Sequence, residues 1–420
     1  MSARDAGELG RLALDWLIAR PVTTVGGAAD GEPVPTLYSG TAGVVVALLE
    51  GWAHFGDEDC AQAALRGARQ IAELVDTWDH DSLYFGLAGM AFALREVQRR
   101  LGDESSGRAA DRALARVRER FDGERWSPMF ELLAGNAGIG LAALAAGDRE
   151  LALLAVTPYL KTADETPGGV NWPVRPSPPR SHHMAHGTLG IVYALAAVGR
   201  AADRADLIEL ALRGAADVVA RDEDGPDGFL VPHSDPPHRP DIIERISYGW
   251  CNGPAGDAVA FRLLHDVTGD AAWPALGERC WHTVRGSGLP QRTRPGFWDN
   301  SARCCGTAGV LATACDRLAA DRAEDPAFAA TLFADLEARA TVDAAGARWS
   351  NLEHRREPPE LAPRTDWAHG NAGIVRELLR YARIAGGAEA GAGGNWYAVT
   401  MPDHLPAGAD DIDASTTATA

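Results

Sequence analysis

The chain has 420 residues, of which 46% are hydrophobic, so it is long enough to bury one large core or two ordinary ones. Its formal net charge of -18 at pH 7 would repel phosphate backbones, which excludes nucleic acid as an expected partner. The N-terminal residues lack a basic start followed by an apolar stretch, and no run reaches the ~20 apolar residues of a membrane span, so we expect a cytoplasmic protein with no membrane span.

A glycine pair with the spacing Gly-x-x-Gly occurs seven times, and each pair leads into an apolar stretch with helical spacing. The pairs recur at intervals of roughly 46 to 66 residues, which is the range of repeat architectures. We predict that each pair opens a helix. The first glycines of the pairs are Gly40, Gly86, Gly135, Gly187, Gly253, Gly306 and Gly370.

A second amphipathic stretch lies between successive pairs, for example at 60–75, 207–222 and 325–340. Almost no segment alternates with period two, so the sequence predicts an all-α fold of seven helical hairpins. Such hairpins form an open solenoid or a closed ring. We expect the ring, an α/α toroid, because it gathers the polar glycine turns around one cavity.

We expect residues 1–385 to form a single domain. Residues 386–420 are rich in Gly, Ala, Asp and Thr, and we predict that they are disordered. Two proline-rich stretches, 171–180 and 232–240, are typical of long loops and could cover one face as a substrate lid.

The third and fourth turns carry candidate acid–base residues. Glu131 lies four residues before its glycine, where it could orient a histidine or a substrate amide, or be only a solvated charge at a helix end. His186 directly precedes the fourth glycine, and its imidazole can transfer a proton near neutral pH. His182 and His183, in the same turn, are expected to be exposed loop residues.

The fifth and sixth turns place cysteine beside the glycine, as Cys251, Cys304 and Cys305. Equivalent turns of neighbouring repeats should be neighbours in space, so three thiolates could hold one zinc ion and leave its fourth tetrahedral position open. An open position is typical of a catalytic zinc, although a purely structural zinc is the alternative. The remaining cysteines lie within helical stretches and are interpreted as inert buried residues: Cys60, Cys280 and Cys315.

The seventh turn carries His369 directly before its glycine. Three roles are open for this residue: a second acid or base, a metal ligand, or a turn residue that only makes a hydrogen bond.

These turns resemble those of the lanthionine synthetase C-like (LanC-like) family, which includes bacterial lanthipeptide cyclases and eukaryotic glutathione-linked relatives. The resemblance extends through all seven turns and is most specific at 185–187, 250–253 and 304–306. It implies a seven-repeat α/α toroid with one zinc ion (Zn2+) per chain at the mouth of its cavity. It also implies that zinc activates a peptide cysteine, which adds to dehydroalanine or dehydrobutyrine and closes a thioether ring.

The resemblance also implies a role for each candidate residue. Cys251, Cys304 and Cys305 correspond to the zinc ligands, and His186 to the proton-transfer residue, while Glu131 matches a position that is acidic in the family. The implied substrate is a dehydrated, cysteine-containing precursor peptide. A separate dehydratase would have to supply it, because seven repeats leave no room for that activity in this chain.

The sequence departs from the commonest family pattern in two ways. Many members have Cys-His-Gly where this chain has Cys304, Cys305 and Gly306. A third thiolate adds a negative charge to the zinc site, which predicts a more nucleophilic substrate sulfur. In addition, an arginine that precedes the first zinc cysteine in some peptide cyclases is absent, and Arg245 and Arg303 are the candidates to replace it.

Three other functions remain open from the sequence. One is an enzyme that joins glutathione or another small thiol to dehydrated residues in proteins. Another is a zinc-stabilised scaffold without turnover, which would tolerate the loss of His186. The third is a carbohydrate enzyme with an α/α toroid, which needs paired carboxylates, and the candidates for these are Glu131, Asp81 and Asp366.

Overall fold

The computed structural model describes residues 5–20, 34–320, 325–387 and 397–405, and most of these residues are helical. In this part of the chain, no helix combines the length and hydrophobicity needed to cross a bilayer. The helices are α1 (Ala6–Ile18), α2 (Thr41–Phe55), α3 (Glu58–Leu74), α4 (Leu87–Leu101), α5 (Glu104–Glu119), α6 (Asn136–Ala145), α7 (Arg149–Val156), α8 (Tyr159–Thr162), α9 (Thr188–Ala201), α10 (Ala205–Val219), α11 (Pro254–Thr268), α12 (Ala272–Gly286), α13 (Thr307–Ala319), α14 (Pro326–Arg339) and α15 (Asn371–Ala385).

Three short antiparallel strand pairs connect some of the helices. They have only two or three residues per strand, which is too short to leave an alternating pattern in the sequence. The predicted helical fold class is confirmed, and these strands are its one small exception. The pairs are β1 (Asp164–Thr166) with β2 (Gly169–Asn171), β3 (Arg180–Ser181) with β4 (Ser234–Asp235), and β5 (Thr341–Asp343) with β6 (Gly346–Arg348).

The long helices form two concentric rings. The inner ring consists of α2, α4, α6, α9, α11, α13 and α15, each of which packs against the next, and α15 packs against α2. The ring is therefore closed, and the predicted α/α toroid is confirmed. The outer helices are α1, α3, α5, α7, α10, α12 and α14, and each packs against an inner helix. Because the inner helices are covered on both sides, α2 and α9 are buried along most of their length.

Each inner helix begins directly after the first glycine of a pair, which is its N-cap residue. The backbone of these N-cap glycines is extended, so space rather than conformation requires glycine here. A Cβ on Gly306 would lie 2.3 Å from the carbonyl oxygen of Asn300, and one on Gly309 would lie 2.3 Å from that of Arg303. The two glycines therefore allow the turn to fold back onto the start of its helix.

The turns are joined around the mouth of the toroid by a ladder of backbone hydrogen bonds. Each turn contributes one residue to this ladder, two positions before its N-cap glycine. Between six pairs of neighbouring turns, the N–H of one such residue donates to the carbonyl of the other at 2.9–3.3 Å. At the step from Leu133 to Ala185, the N–H of Leu133 donates instead to the carboxylate of Glu131. The ladder residues are Tyr38, Tyr84, Leu133, Ala185, Cys251, Cys304 and Ala368.

Residues 397–405 pack inside the toroid, where they contact α2, α9, α11, α13 and α15. Val399 and Met401 are buried among the inner helices. The predicted disorder of 386–420 is therefore wrong for this segment, because its partners are distant in sequence and leave no local signal. Of the remaining tail, residues 388–396 and 406–420 lie outside the described residues, and the domain boundary at 385 stays a prediction.

The C-terminal segment also completes buried polar contacts. The carboxylate of Glu50 accepts the backbone N–H groups of Ala398 at 3.0 Å and Val399 at 2.9 Å. His404 Nε2 lies 2.8 Å from an oxygen of Asp316, and the hydroxyl of Tyr84 donates to Asp403 at 2.6 Å. Glu50 and Asp316 therefore gain hydrogen-bond partners from this segment in addition to their arginines.

Candidate metal centre and active site

The sulfurs of Cys251, Cys304 and Cys305 lie together at the mouth of the toroid. The Sγ atom of Cys305 is 3.3 Å from that of Cys251 and 3.3 Å from that of Cys304, and all three sulfurs lie within 4.8 Å of one another. Cys251 and Cys304 occupy equivalent ladder positions in neighbouring turns, and the N–H of Cys251 donates to the carbonyl of Cys304. The ladder thus brings residues from separate repeats into one cluster, as the turn positions predict.

The cluster fits a zinc ion. A tetrahedral zinc with Zn–S bonds of about 2.3 Å holds its sulfurs about 3.8 Å apart, close to the separations seen here. Among the described residues, no fourth His, Cys, Asp or Glu joins the group, which leaves one position for an outside ligand. Hydrogen bonds from Cys251 and Cys305 hold the pKa of Cys304 well below its usual range. The contact with Cys304 raises the pKa of Cys251, and the contact with Cys251 raises the pKa of Cys305. The cluster thus favours one thiolate even without a metal.

Two further groups donate hydrogen bonds to the sulfurs. The hydroxyl of Tyr38 donates to Cys304 at 3.8 Å, and the side-chain amide of Asn252 donates to Cys251 at 3.4 Å. The sequence prediction missed Tyr38, although it occupies the same turn position as Cys251 and Cys304. Comparison of the seven turns position by position would have found it.

His369 lies on the other side of Tyr38. Its Nε2 atom is 3.1 Å from the hydroxyl of Tyr38, and its backbone N–H donates to the carboxylate of Asp366 at 2.7 Å. The turn hydrogen bond that the sequence suggested is present. The imidazole also approaches the thiols through Tyr38, so the choice among its three roles stays open.

Glu131 and His186 face each other at the interrupted step of the ladder. Glu131 is fully buried, so it is not a solvated charge at a helix end. Its carboxylate accepts the N–H groups of Leu133 and Ala134 and lies 3.6 Å from His186 Nδ1. The side chain of His186 is 33% exposed, which leaves part of the ring open to the mouth. The geometry allows the carboxylate to orient the imidazole.

The two arginines predicted to replace a missing active-site arginine serve other contacts. Arg303 is buried, its Nε donates to Glu377 at 3.0 Å, and its guanidinium lies 5.1 Å from the ring centre of Trp250. Arg245 is more than half exposed and forms a salt bridge with Glu223. Neither arginine contacts a thiol or His186 among the contacts of the described residues.

His182 and His183 are buried, so their predicted exposure is wrong. His183 Nδ1 lies 2.9 Å from both oxygens of Asp257, and its Nε2 lies 3.1 Å from the carbonyl oxygen of Val231. The two proline-rich loops cover this turn, because β3 pairs with β4 and the N–H of His182 donates to the carbonyl of His233. The sequence indicated the loops but not their pairing.

Buried histidines should make the protein sensitive to acid. Burial lowers the pKa values of His182 and His233 to about 3, and that of His404 to about 4. In the unfolded chain these groups titrate near pH ~6.5, so below that pH the unfolded state binds protons that the folded state does not. The free energy of unfolding should therefore decrease as pH falls, by about 1.4 kcal/mol per pH unit for each histidine.

Urea unfolding between pH ~7 and pH ~5 measures this dependence. We expect His182→Leu to have a shallower dependence than the wild type, because it removes one of the three groups. An unchanged slope in this variant would contradict the assignment of His182 as a neutral buried residue.

The comparisons with known proteins agree with this architecture. The model of the family described as lanthionine synthetase C-like protein matches residues 34–235, which include the first four turns but not the cysteines of the cluster. Nisin cyclase matches with a TM-score of 0.66 at 14% identity, over 96% of this chain and 97% of its own. No curated protein matches the sequence.

A carbohydrate enzyme shares the fold more distantly. An unsaturated glucuronyl hydrolase specific for heparin matches with a TM-score of 0.50 at 14% identity, over 91% of this chain and 98% of its own. At such low identity, each of the two structural matches shows the shared fold alone. The chain is thus similar to lanthionine synthetase C-like proteins over residues 34–235, and it shares the fold of nisin cyclase along almost its whole length.

Proposed function

We propose that this protein is a zinc-dependent lanthionine cyclase, which adds peptide cysteine thiols to dehydroalanine or dehydrobutyrine. The observation that carries the proposal is the convergence of three cysteine sulfurs within 4.8 Å of one another. The pair of His186 and Glu131 at the same mouth and the fold of nisin cyclase support it. One Zn2+ per chain would be held by Cys251, Cys304 and Cys305.

The sulfur cluster prepares the nucleophile. A free thiol with a pKa near ~8.5 is mostly protonated at neutral pH, whereas a thiol bound to zinc is deprotonated. Cys251, Cys304 and Cys305 would hold the ion and leave the fourth position to the substrate sulfur. The hydrogen bonds from Tyr38 and Asn252 offset part of the negative charge that collects on these sulfurs.

His186 and Glu131 would complete the addition. When the substrate sulfur bonds to the β-carbon, the electron pair of the carbon–carbon double bond moves toward the carbonyl group and forms an enolate. His186, in its protonated form, donates a proton to the α-carbon and restores the carbonyl. Glu131, 3.6 Å from the ring, keeps the imidazole oriented. The thiol loses one proton and the α-carbon gains one, so the peptide keeps its atomic composition and the reaction is an isomerisation.

The substrate class follows from this chemistry. The acceptor must already be dehydrated, so the proposed substrate is a dehydrated precursor peptide that contains cysteine. We propose that a separate dehydratase supplies it, and that both proteins act in the cytoplasm, where thiols stay reduced.

A dehydrated peptide with free cysteines provides the test. Ring closure leaves the mass of the peptide unchanged, but each ring removes one thiol that an alkylating reagent would otherwise modify. Loss of alkylation with zinc-loaded protein, and retention of alkylation with chelated protein, is the expected result. Full alkylation in the presence of zinc-loaded protein would contradict the proposal.

The same experiment separates the alternatives. If glutathione is supplied and the peptide mass increases by one glutathione per acceptor, the protein is an enzyme that adds a small thiol. If zinc binds and neither reaction occurs, the zinc-stabilised scaffold is the better description. Turnover of an unsaturated glycan would favour a carbohydrate enzyme.

We expect His186→Ala to retain zinc and to slow the addition by about 100- to 10,000-fold, which is the usual contribution of a general acid. The side chain lies next to Glu131 rather than among the sulfurs, so the metal should stay bound. Zinc content and alkylation kinetics on the same sample measure both effects. Wild-type rates in His186→Ala would remove this residue from the mechanism.

A further inference from the structure

The two proline-rich loops bring a second group of polar side chains next to His186. The N–H of Phe130 donates to the carbonyl of Val174 at 2.9 Å, which joins the loop of 171–180 to the turn that carries Glu131. The loop of 232–240 is joined to the turn of His186 through β3 and β4. The segment of Arg175 therefore adjoins the turn of Glu131, and the segment of His233 adjoins the turn of His186.

Arg175 forms no salt bridge within the part of the chain that the structure describes. It is half-buried, and its Nε atom is buried without a hydrogen bond. Burial lowers the pKa of Arg175, and the charge of Glu131 acts in the opposite direction. By contrast, Arg303 pairs with the buried Glu377. A half-buried arginine without a partner costs free energy unless a ligand supplies one.

His233 adds a second unpaired group. It is 5% exposed, and its Nδ1 atom is buried without a hydrogen-bond partner. Burial lowers the pKa of His233 to about 3, and the charges of Arg175 and His186 act in the same direction, so the ring is neutral. His186 Nδ1 is a third buried nitrogen without a hydrogen bond. The charges of Arg175 and His186 both act on the ring of His233, which indicates that the three side chains lie near one another.

We propose that Arg175 and His233 bind the carbonyl oxygen of the dehydroamino acid and stabilise the enolate that forms on it. This inference rests on the proposed function, because it names the subsite that holds the acceptor. A guanidinium donates hydrogen bonds to a neutral carbonyl and donates more strongly to an oxyanion, so the interaction strengthens as the reaction proceeds.

The movement of electrons during the addition determines which atom of the acceptor each side chain serves. The new bond joins sulfur to the β-carbon, the π electrons of the double bond move to the bond between the α-carbon and the carbonyl carbon, and the carbonyl π electrons move to oxygen. Arg175 faces that oxygen, with His233 beside it, and His186 returns a proton to the α-carbon. No oxidant or other co-reactant is needed.

The test compares two arginines of the same loop. Arg175→Gln should lower kcat by about 100- to 1,000-fold, as the loss of one oxyanion donor does, with zinc content and melting temperature unchanged. Arg175→Lys should recover part of the rate because it keeps a charge. Arg180→Gln is the matched control, because Arg180 is also partly buried in this loop but has a salt-bridge partner in Asp164. A kcat within about threefold of wild type in Arg175→Gln, or loss of zinc, would overturn the inference.

A binding measurement separates this inference from the proposed function. The probe is a dehydrated peptide in which every cysteine is serine, so it cannot react, and calorimetry measures its affinity. Arg175→Gln should bind this peptide about tenfold more weakly than wild type and Arg180→Gln. If wild type binds the probe but catalyses no addition, the cyclase proposal fails while the subsite stands. If Arg175→Gln binds the probe as tightly as wild type, the subsite fails.

Discussion

Replacement of one cluster cysteine, Cys304→Ala, should weaken zinc binding by about 300- to 5,000-fold and severely slow thioether formation. Three thiolates share the metal, so the loss of one should remove roughly a third of a zinc-binding free energy of about 10–16 kcal/mol. Without the metal, a substrate thiol with a pKa near ~8.5 is ionised to only about 3% at neutral pH, which by itself costs about 30-fold in rate. The loss of positioning adds to this.

Zinc content by elemental analysis and thiol alkylation on the same samples measure the effect of Cys304→Ala. Cys315→Ala is the matched control, since Cys315 is also buried, and burial raises the pKa of its thiol. It lies within α13 and outside the cluster. We expect this control to keep its zinc and its rate. A Cys304→Ala protein that forms rings at the wild-type rate would refute the role of the metal.

Deletion of residues 397–420 should unfold the protein or lower its stability severely, whereas deletion of 406–420 should change little. The longer deletion removes four buried apolar side chains, Tyr397, Val399, Met401 and Leu405. Each contributes about 1.5–3 kcal/mol when buried, and the sum approaches the whole stability of a typical domain. The shorter deletion removes none of the contacts described for 397–405.

Lost hydrogen bonds add to the effect of the longer deletion. Glu50 would lose two N–H groups and keep Arg383, and Asp316 would lose His404 and keep Arg380. Each hydrogen bond lost from a charged group costs about 1.5–3 kcal/mol. Urea unfolding of the two truncated proteins measures the difference. Equal stability of both would show that the central segment is dispensable.

The inner helices and the cysteine cluster could be predicted because each depends on a local pattern. Both glycines of a pair are required by contacts within their own turn, so their spacing recurs in the sequence. Cys251 and Cys304 share one turn position, and neighbouring turns are hydrogen-bonded to each other. The sequence therefore predicts which sulfurs meet, although it does not give their separations.

Other features depend on contacts that sequence spacing does not reveal. Residues 397–405 are ordered by partners such as Glu50 and Tyr193, which are hundreds of positions away. His182 and His183 are buried because the two proline-rich loops pair over them, and no local pattern records that pairing. Arg175 was likewise not predicted, because the contact of its loop with the turn of Glu131 and the burial of its Nε atom are known only from the structure.

The backbone ladder has a consequence for how the molecule opens. In a row of stacked repeats, the terminal repeats have a neighbour on one side only and fray first. Here the first turn bonds to the last, since the N–H of Ala368 donates to the carbonyl of Tyr38, so no repeat is terminal. Amide hydrogens of the ladder should therefore exchange with solvent mainly when the ring opens as a unit. Between Leu133 and Ala185 the ladder has no backbone bond, because the N–H of Leu133 donates to Glu131, so exchange at this step depends on a side chain that the proposed mechanism also uses.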